Sequence, residues 1–402
     1  MTNNFSADIP AIWAKEQQAV FYKQNVAIQV CDTSFKSQMT FWDTLNRPYR
    51  STDEVDQYVR GTDIVIDDKT DTNEQLIVNQ QYANGFYVDE FDEMQSAYDL
   101  AVSYGKDNWE YLSNQVDAVV LWEYASAWST VDDGTIWGTG GNGITLTASN
   151  LLKTVSAVKK KLRKNNIPLW ELKAVVSPEF EEILIQYWAE KATPLWDDIT
   201  KQGSFYRLFD FEFYCSNQLS ASATLALGTN PTNGDTVTIA WQTFTFVSSI
   251  GTTAGNVLIG WDVDATRANL ATLINAPSTT TANWVALNDK NTLRKFKNNV
   301  TATNDDTANT LLVVQKWIGK VEVAESLTAW ADVWTTTKQK QYNLFMKKGA
   351  IALVVQKTPT IKVTQPAKKF GQNFLNAVLF GVKTFNDGAK KLISVELNSS
   401  TY

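Results

Sequence analysis

The sequence predicts an α+β fold, on three observations. Residues 49–88 read as an extended hairpin around a polar, acidic turn. The period of the apolar residues then changes from two to about 3.6, from Glu93 to Trp128. Finally, a block rich in Thr, Asn, Ala and Gly, residues 220–338, interrupts a strand-and-helix pattern that resumes at Gly349.

Residues 1–48 form an N-terminal arm, with a short helical pattern from Pro10 through Ile12, Trp13, Ala19 and Val20. The first hairpin arm alternates through Val59, Ile64 and Ile66. The turn is Asp67-Asp68-Lys69-Thr70-Asp71-Thr72-Asn73, and the chain returns through Leu76, Val78 and Tyr82. In the helix, Met94, Tyr98, Ala101, Gly105, Trp109, Leu112, Val116 and Val119 recur at steps of three and four. Asp89, Glu90, Asp92 and Glu93 sit at its start, where the dipole favours negative charge. At ~1.5 Å per residue such a helix is about 50 Å long. A hairpin extended from any core and joined to so long a helix suits a subunit built to touch its neighbours.

A Gly-rich stretch, Gly134 to Gly143, leads to a second compact unit. Thr147 is a candidate N-cap for a helix carrying Leu151, Leu152, Val155, Val158 and Leu162, whose last turns hold Lys159, Lys160, Lys161, Arg163 and Lys164. These cations read as complements of a helix C-terminus on a solvated face. Ala174-Val175-Val176 is a buried strand, Ser177-Pro178 a cap with Pro at the first helical position, and Phe209–Phe213 an alternating strand. Within the block at 220–338, Gly234–Ile239 and Thr243–Phe246 read as a hairpin, Val257–Ile259 and Leu311–Val314 as strands, and Ala265–Asn275 as a helix. Its own core is expected from Val237, Ile239, Phe244, Phe246, Leu258, Ile259, Leu270, Leu273 and Ile274. The chain closes with a hairpin, Val378–Phe385 and Leu392–Leu397, turning at Asn386-Asp387-Gly388.

Composition narrows the function. The 402 residues are 44% apolar and 20% charged, as in globular proteins, and no apolar run approaches the ~20 residues that cross a bilayer. The N-terminus lacks the basic and apolar regions of a signal peptide, so synthesis and folding in cytoplasm are expected, with no membrane partner. Histidine is absent, which removes the commonest general base and metal ligand. Cys31 and Cys215 lie far apart and read as structural thiols. A net charge of −7 argues against wrapping nucleic acid, and fifteen tryptophans hint at association. No cofactor or metal is expected. Asp132-Asp133 and Asn304-Asp305-Asp306 lack the ligand periodicity of a calcium loop and read as polar turns. Gly138–Gly143 lacks the Lys-Ser/Thr ending of a phosphate loop and reads as a linker.

In order and spacing, these segments resemble the major capsid proteins of tailed bacteriophages, the Hong Kong 97-type fold. Phe5–Trp13 is similar to that family's N-arm, Tyr58–Thr62 with the acidic turn and Gln80-Gln81-Tyr82 to its extended E-loop, and Asp89–Ala127 to its spine helix. Val175–Phe180 resembles a motif of its axial domain, and Gly349–Leu353 and Gly381–Phe385 resemble its closing strands. The likeness covers about 1–216 and 344–398. Gly234–Ile239 and Ala265–Ala276 look like small modules that recur in phage capsid and tail proteins.

The resemblance implies an N-arm (1–48), an E-loop hairpin (49–88) and a peripheral domain with spine helix (89–128 and 367–402). It further implies an axial domain (129–219 and 339–366) and an insertion domain (220–338) facing outward. It implies a non-enzymatic subunit that self-assembles into the hexamers and pentamers of an icosahedral shell, enclosing double-stranded DNA without sequence-specific binding. Scaffold, portal and decoration proteins are partners implied in the same way. The location implied is the virion, assembled in the host bacterial cytoplasm. The N-arm begins near the family's mature start, which speaks against a long removable leader. Asp53, Arg60, Asp67, Asp68 and Lys69 are the candidate intersubunit contacts. Some relatives form Lys-Asn isopeptide bonds from a hairpin tip, which would pair Lys69 with Asn373 or Asn376; a solvated loop lysine is the stronger reading. Two alternatives remain: an encapsulin-like shell around cargo enzymes, and a carboxylate-dependent hydrolase.

Overall fold

The computed structural model describes residues 25–39, 43–50, 55, 57–61, 63, 71–95, 100–190, 207–316, 319–366 and 369–401. The expected arm helix at 10–20 lies outside them. In chain order the first half holds helix α1 (Ala27–Val30), strands β1 (Thr44–Arg50), β2 (Asp71–Ile77) and β3 (Gln80–Val88), and helices α2 (Glu90–Gln95) and α3 (Leu100–Leu121). There follow β4 (Ser129–Val131), α4 (Leu151–Lys164), β5 (Leu172–Val176), α5 (Pro178–Glu190), β6 (Arg207–Leu208) and β7 (Phe211–Cys215). The block at 220–338 contributes β8 (Ala221–Ala226), β9 (Thr236–Ile239), β10 (Gln242–Val247), β11 (Asn256–Leu258), α6 (Val263–Asn275), α7 (Lys290–Asn299), β12 (Val300–Asp305), β13 (Thr310–Gln315) and β14 (Val323–Ser326). The chain ends with β15 (Lys340–Lys347), β16 (Ala352–Thr364), β17 (Gln372–Lys383), α8 (Asn386–Ala389) and β18 (Leu392–Asn398).

A central sheet runs β12-β13-β8-β15-β5-β7-β6, with β18 beside β15 and β4 beside β18. Its core joins Leu151, Val155, Val158 and Leu162 of α4 and Phe180 and Leu184 of α5 to Phe211, Phe345, Ile393 and Val395. A second sheet, β16-β17-β3, packs against α3. Here Leu112, Val120 and Leu121 meet Val378 and Phe380, with Val26, Ala27, Val30 and Cys31 wedged alongside. The hairpin base is a two-stranded sheet, β1 on β2, with Arg50 opposite Asp71.

The two ends of the 220–338 block are hydrogen-bonded neighbours, because Ser222 of β8 pairs with Lys340 of β15. Its β8, β13 and β12 continue the central sheet, while β11-β10-β9-β14 form a sheet of their own. The hydrophobic core beneath draws on residues between Ala221 and Trp334. Val237, Ile239, Phe244, Phe246, Leu270, Leu273 and Ile274 are buried there as expected, but at β11 it is Val257 that is buried, with Leu258 half-buried and Ile259 packed at the core's margin.

Several local readings need correction. The return arm of the hairpin, read as one strand, is two: Leu76 lies in β2 and Tyr82 in β3, which pairs instead with β17. The break falls where the backbone of Ile77 and Val78 crosses Gly381, and a Cβ there would stand 2.6 Å from the Ile77 carbonyl oxygen. Val59, expected in the first arm, lies outside any strand, and β1 starts earlier, at Thr44. The long helix is described as α2 and α3, with 96–99 outside the described residues, and it tightens to a 3₁₀ turn at Trp122–Ser126. The cap of α4 is Asn150, whose Oδ1 accepts the Thr147 N–H at 2.8 Å. The strand read at 209–213 begins at Phe211, because Phe209 and Asp210 turn with φ of 51° and 71°. Finally, Val378–Phe385 and Leu392–Leu397 are not a hairpin: β17 pairs with β16 and β3, β18 with β15 and β4. The helical turn α8 carries the chain between sheets because Phe385 and Ile393 are buried in different cores.

Candidate intersubunit surface

The hairpin base is clamped to the body by charge. Arg47 on β1 donates from both guanidinium nitrogens to the Asp387 carboxylate, each at 2.9 Å, and its guanidinium carbon lies 4.9 Å from the Phe385 ring centre. Glu74 on β2 accepts the Asn386 N–H at 3.2 Å through both oxygens. Burial works against the Asp387 charge, but Arg47 and Lys391 outweigh it and hold that carboxyl below its usual value.

Above this clamp, Val55, Tyr58 and Val59 stand exposed, Val55 at 96%. Arg60 is exposed in a turn whose next residue, Gly61, has φ +91°. Asp53, Asp67, Asp68 and Lys69 lie outside the described residues. Beyond the hairpin, Ile28, Phe91, Met94, Ile361, Val363, Phe370 and Leu375 are exposed, the last four on or beside the β16–β17 ribbon. Exposed apolar side chains gathered in this way, as at the β16–β17 ribbon, are a common feature of association surfaces.

The asparagines named as partners of Lys69 differ in accessibility. Asn373 is half-buried in β17, opposite Tyr87 of β3. Asn376, opposite Asn84, is 2% exposed, and neither of its amide atoms has a partner among the described residues. It belongs to a polar seam between sheet and helix, in which Asn84 donates to Asn108 of α3 at 2.7 Å and Gln115 is buried one heptad further on. Apolar periodicity misses this seam. Trp109, which periodicity places inward, is 45% exposed, while Asn108 and Gln115 share the face of buried Leu112. The spacing 108, 112, 115 was the available signal.

One carboxylate in this interface was also missed. Asp117 of α3, 3% exposed, accepts the backbone N–H groups of Val26 and Ala27 at the start of α1. Around it Asn25 donates to Ser113 at 2.8 Å, and Gln218 donates to Asn114 at 3.0 Å and to Asn25 at 3.4 Å. Burial without a cation pushes the Asp117 carboxyl up to about 6, against the two N–H donors.

The other oxygen-rich candidates have local work. Asp132 accepts the N–H groups of Thr135 and Gly141, and Asp133 that of Thr139, which folds the 134–143 stretch on itself. Asn304 and Asp306 face Arg267, as acceptor at 2.9 Å and ion pair at 3.5 Å. Lys159, in the basic run of α4, pairs with Asp210 at 2.6 Å. Cys31 and Cys215 are unbonded to each other, and burial pushes both thiols up, Cys31 further under the influence of Asp117. No helix among the described residues is long and apolar enough to cross a membrane.

No family model matches the sequence, and no curated protein does. Solved structures are similar over nearly the whole chain. A Mycobacterium phage Che8 structure is 13% identical, with 98% of each chain covered and a TM-score of 0.59. The capsid structure of cyanophage P-SCSP1u is 10% identical, covering 98% of this chain and 94% of that one, with a TM-score of 0.51. The mature capsid of bacteriophage PhiM1 is 9% identical, covering 97% and 92%, also at 0.51. The chain thus carries the fold of phage capsid proteins, the Hong Kong 97-type architecture that the order of its sequence segments resembles.

Proposed function

We propose that the chain is the major capsid protein of a tailed bacteriophage. In this reading it forms hexamers and pentamers of an icosahedral shell around double-stranded DNA, without enzymatic chemistry of its own. The single observation that carries the reading is a likeness to phage capsid structures that covers 98% of the chain. The exposed apolar residues of hairpin and ribbon support it, since assembly would cover them.

Within this proposal residues 1–48 are the N-arm, 49–88 the E-loop, 89–128 with 367–402 the peripheral domain, 129–219 with 339–366 the axial domain, and 220–338 an outward-facing insertion domain. The stretch from Asp53 to Gln81 overlies a neighbouring subunit, with Arg60 and Lys69 meeting acidic groups and Asp67 and Asp68 meeting basic ones. Rim charges of this kind set register, and buried apolar anchors supply affinity.

The test is electron microscopy of the purified full-length chain. Shells that are empty or DNA-filled support the proposal; cargo-filled shells would favour an encapsulin-like compartment, and a chain that never assembles would favour neither. Replacing residues 66–74 with a short Gly-Ser turn should leave a soluble subunit that assembles poorly, and normal shell yield would refute the role given to the hairpin.

A further inference from the structure

One end of the central sheet gathers cations from three separate turns. Helix α4 reaches it through Asn165, whose Nδ2 donates to the Lys390 carbonyl at 3.0 Å, and the Lys347 N–H donates to the Lys391 carbonyl at 3.1 Å. The Lys348 N–H in turn donates to the Glu171 carbonyl at 3.0 Å, just ahead of β5. These bonds set the last turn of α4, the turn after β15 and the turn before β18 side by side, on strands ~4.8 Å apart. Lys160, Arg163, Lys164, Lys347, Lys348 and Lys390 converge there, and none of them forms an ion pair among the described residues. Lys160, Arg163, Lys164 and Lys348 are exposed. Lys347 and Lys390 lie over indoles, 4.2 Å from the Trp170 ring centre and 5.4 Å from that of Trp128. Such contacts hold an ammonium in place without cancelling its charge.

The carboxylates at this end are mostly engaged. Asp210 pairs with Lys159 at 2.6 Å, Glu212 with Lys173 at 3.2 Å, and Asp387 with Arg47 and Lys391. Glu74 accepts the Asn386 N–H and Asp32 that of Ser34, which leaves Glu171 exposed beside the cations. Complementing the C-terminal dipole of α4 accounts for the cations of its last turn, and not for Lys347, Lys348 or Lys390. A chain of net charge −7 thus carries a local excess of positive charge. Apart from Arg163, the cations without an acidic partner are lysines. Lysine is depleted at protein–protein interfaces, whereas point charges on long flexible stems suit a phosphate backbone, which asks for no fixed register.

We propose that this end of the central sheet is a phosphate-backbone contact for double-stranded DNA, weak, salt-sensitive and blind to sequence. The inference rests on the capsid reading, from which it takes its ligand, and names the surface of the subunit that meets the enclosed duplex. A duplex carries one negative charge per ~1.7 Å of axis, so several of these cations are neutralised at once and counterions are released.

The test measures binding of the full-length chain to a short fluorescent DNA duplex by anisotropy, across a sodium chloride series and below the concentration at which particles form. The wild type should bind weakly, with log affinity falling linearly as log salt rises. Lys160→Gln, Lys164→Gln and Lys348→Gln together, all exposed and so compatible with folding (checked by circular dichroism), should weaken binding about tenfold at low salt. They should also flatten the slope by about one per contact removed. The control removes the same charge elsewhere, as Lys290→Gln, Arg294→Gln and Lys297→Gln on the exposed face of α7, and should bind as the wild type does. No duplex binding by the wild type at low salt would overturn the inference, as would equal losses in the two variants, since net charge alone would then act. A patch variant that binds duplex normally but self-associates more weakly in sedimentation would also overturn it, by making the surface a contact for an acidic face of a second copy. Failure of the capsid reading shows separately, in electron microscopy. Patch-dependent binding by a chain that forms no shells would support the site and remove the capsid reading, whereas shells without patch-dependent binding would overturn the inference alone.

Discussion

The carboxylate of Asp117, near the C-terminal end of α3, accepts the backbone N–H of Ala27 at 3.2 Å. It thereby caps the first turn of α1 from another element and fixes where the N-terminal segment enters the core. Its carboxyl is raised to about 6 by burial, from an ordinary 3.8. A group raised on folding stabilises the native state fully below its unfolded value and loses that contribution as pH climbs through its folded one. Between pH 4.5 and 7 the stability difference between wild type and Asp117→Asn should therefore shift by about 2 kcal/mol, falling for the wild type as pH rises. Urea unfolding of both proteins at several pH values measures it, and parallel profiles would count against it.

The Arg47–Asp387 pair should respond to pH in the opposite sense. The Asp387 carboxyl is lowered, so its contribution is present above the ordinary aspartate value and disappears as pH falls below it. Both side chains are more than a third exposed, so Arg47→Ala should cost no more than about 1 kcal/mol of global stability. Its main effect should be local, with faster hydrogen exchange of the Thr44–Arg50 amides and little change elsewhere.

Among the described residues Arg267 is the largest fully buried side chain, and it donates to Asn304 at 2.9 Å and to the Leu227 carbonyl at 2.6 Å while pairing with Asp264 and Asp306. Arg267→Ala should destabilise the 220–338 block by about 3 kcal/mol, because it leaves buried acceptors unpaired around a cavity. Arg267→Lys should recover less than half, since one ammonium cannot serve the separate acceptors of a guanidinium fork. Calorimetry of the three proteins decides this.

The turn joining β9 to β10 puts Ala240 at φ 50° and Trp241 at φ 71°, positions that two-residue hairpins normally give to Asn and Gly. Trp241 is 75% exposed, so little packing is at stake. Trp241→Gly should raise stability by roughly 0.5 kcal/mol, the relief of left-handed strain less the added freedom of the unfolded chain. A lower melting temperature would show that the indole makes contacts worth more than the strain.

The buried stripes were legible in sequence wherever burial was one-sided. The face of α4 through Leu151, Val155, Val158 and Leu162, the alternation of Phe211 and Phe213 and the hairpin at β9–β10 all follow from period alone. The Ser177-Pro178 signal also held, with Ser177 Oγ accepting the Phe180 N–H at 3.3 Å. Reading failed where two sheets compete for one stretch, as at Leu76 and Tyr82, or where the buried group is polar, as at Asn108, Gln115, Asp117 and Arg267. Periodicity counts apolar atoms and cannot see an amide or a charge whose partner is 90 residues away.

The sequence by itself determined the α+β class, the order of its elements, most of the block's own apolar core and the acidic character of the hairpin. These depend on local period, turn chemistry and charge, which neighbouring residues encode. Only the tertiary structure decided that β8 would pair with β15, that β17 and β18 would part into different sheets at α8, and that Arg47 would hold the hairpin base through Asp387. Each of those choices is settled by which distant strand or side chain offers a hydrogen-bonding edge or an opposite charge at the same point in space. That complementarity arises only once the hydrophobic cores have closed.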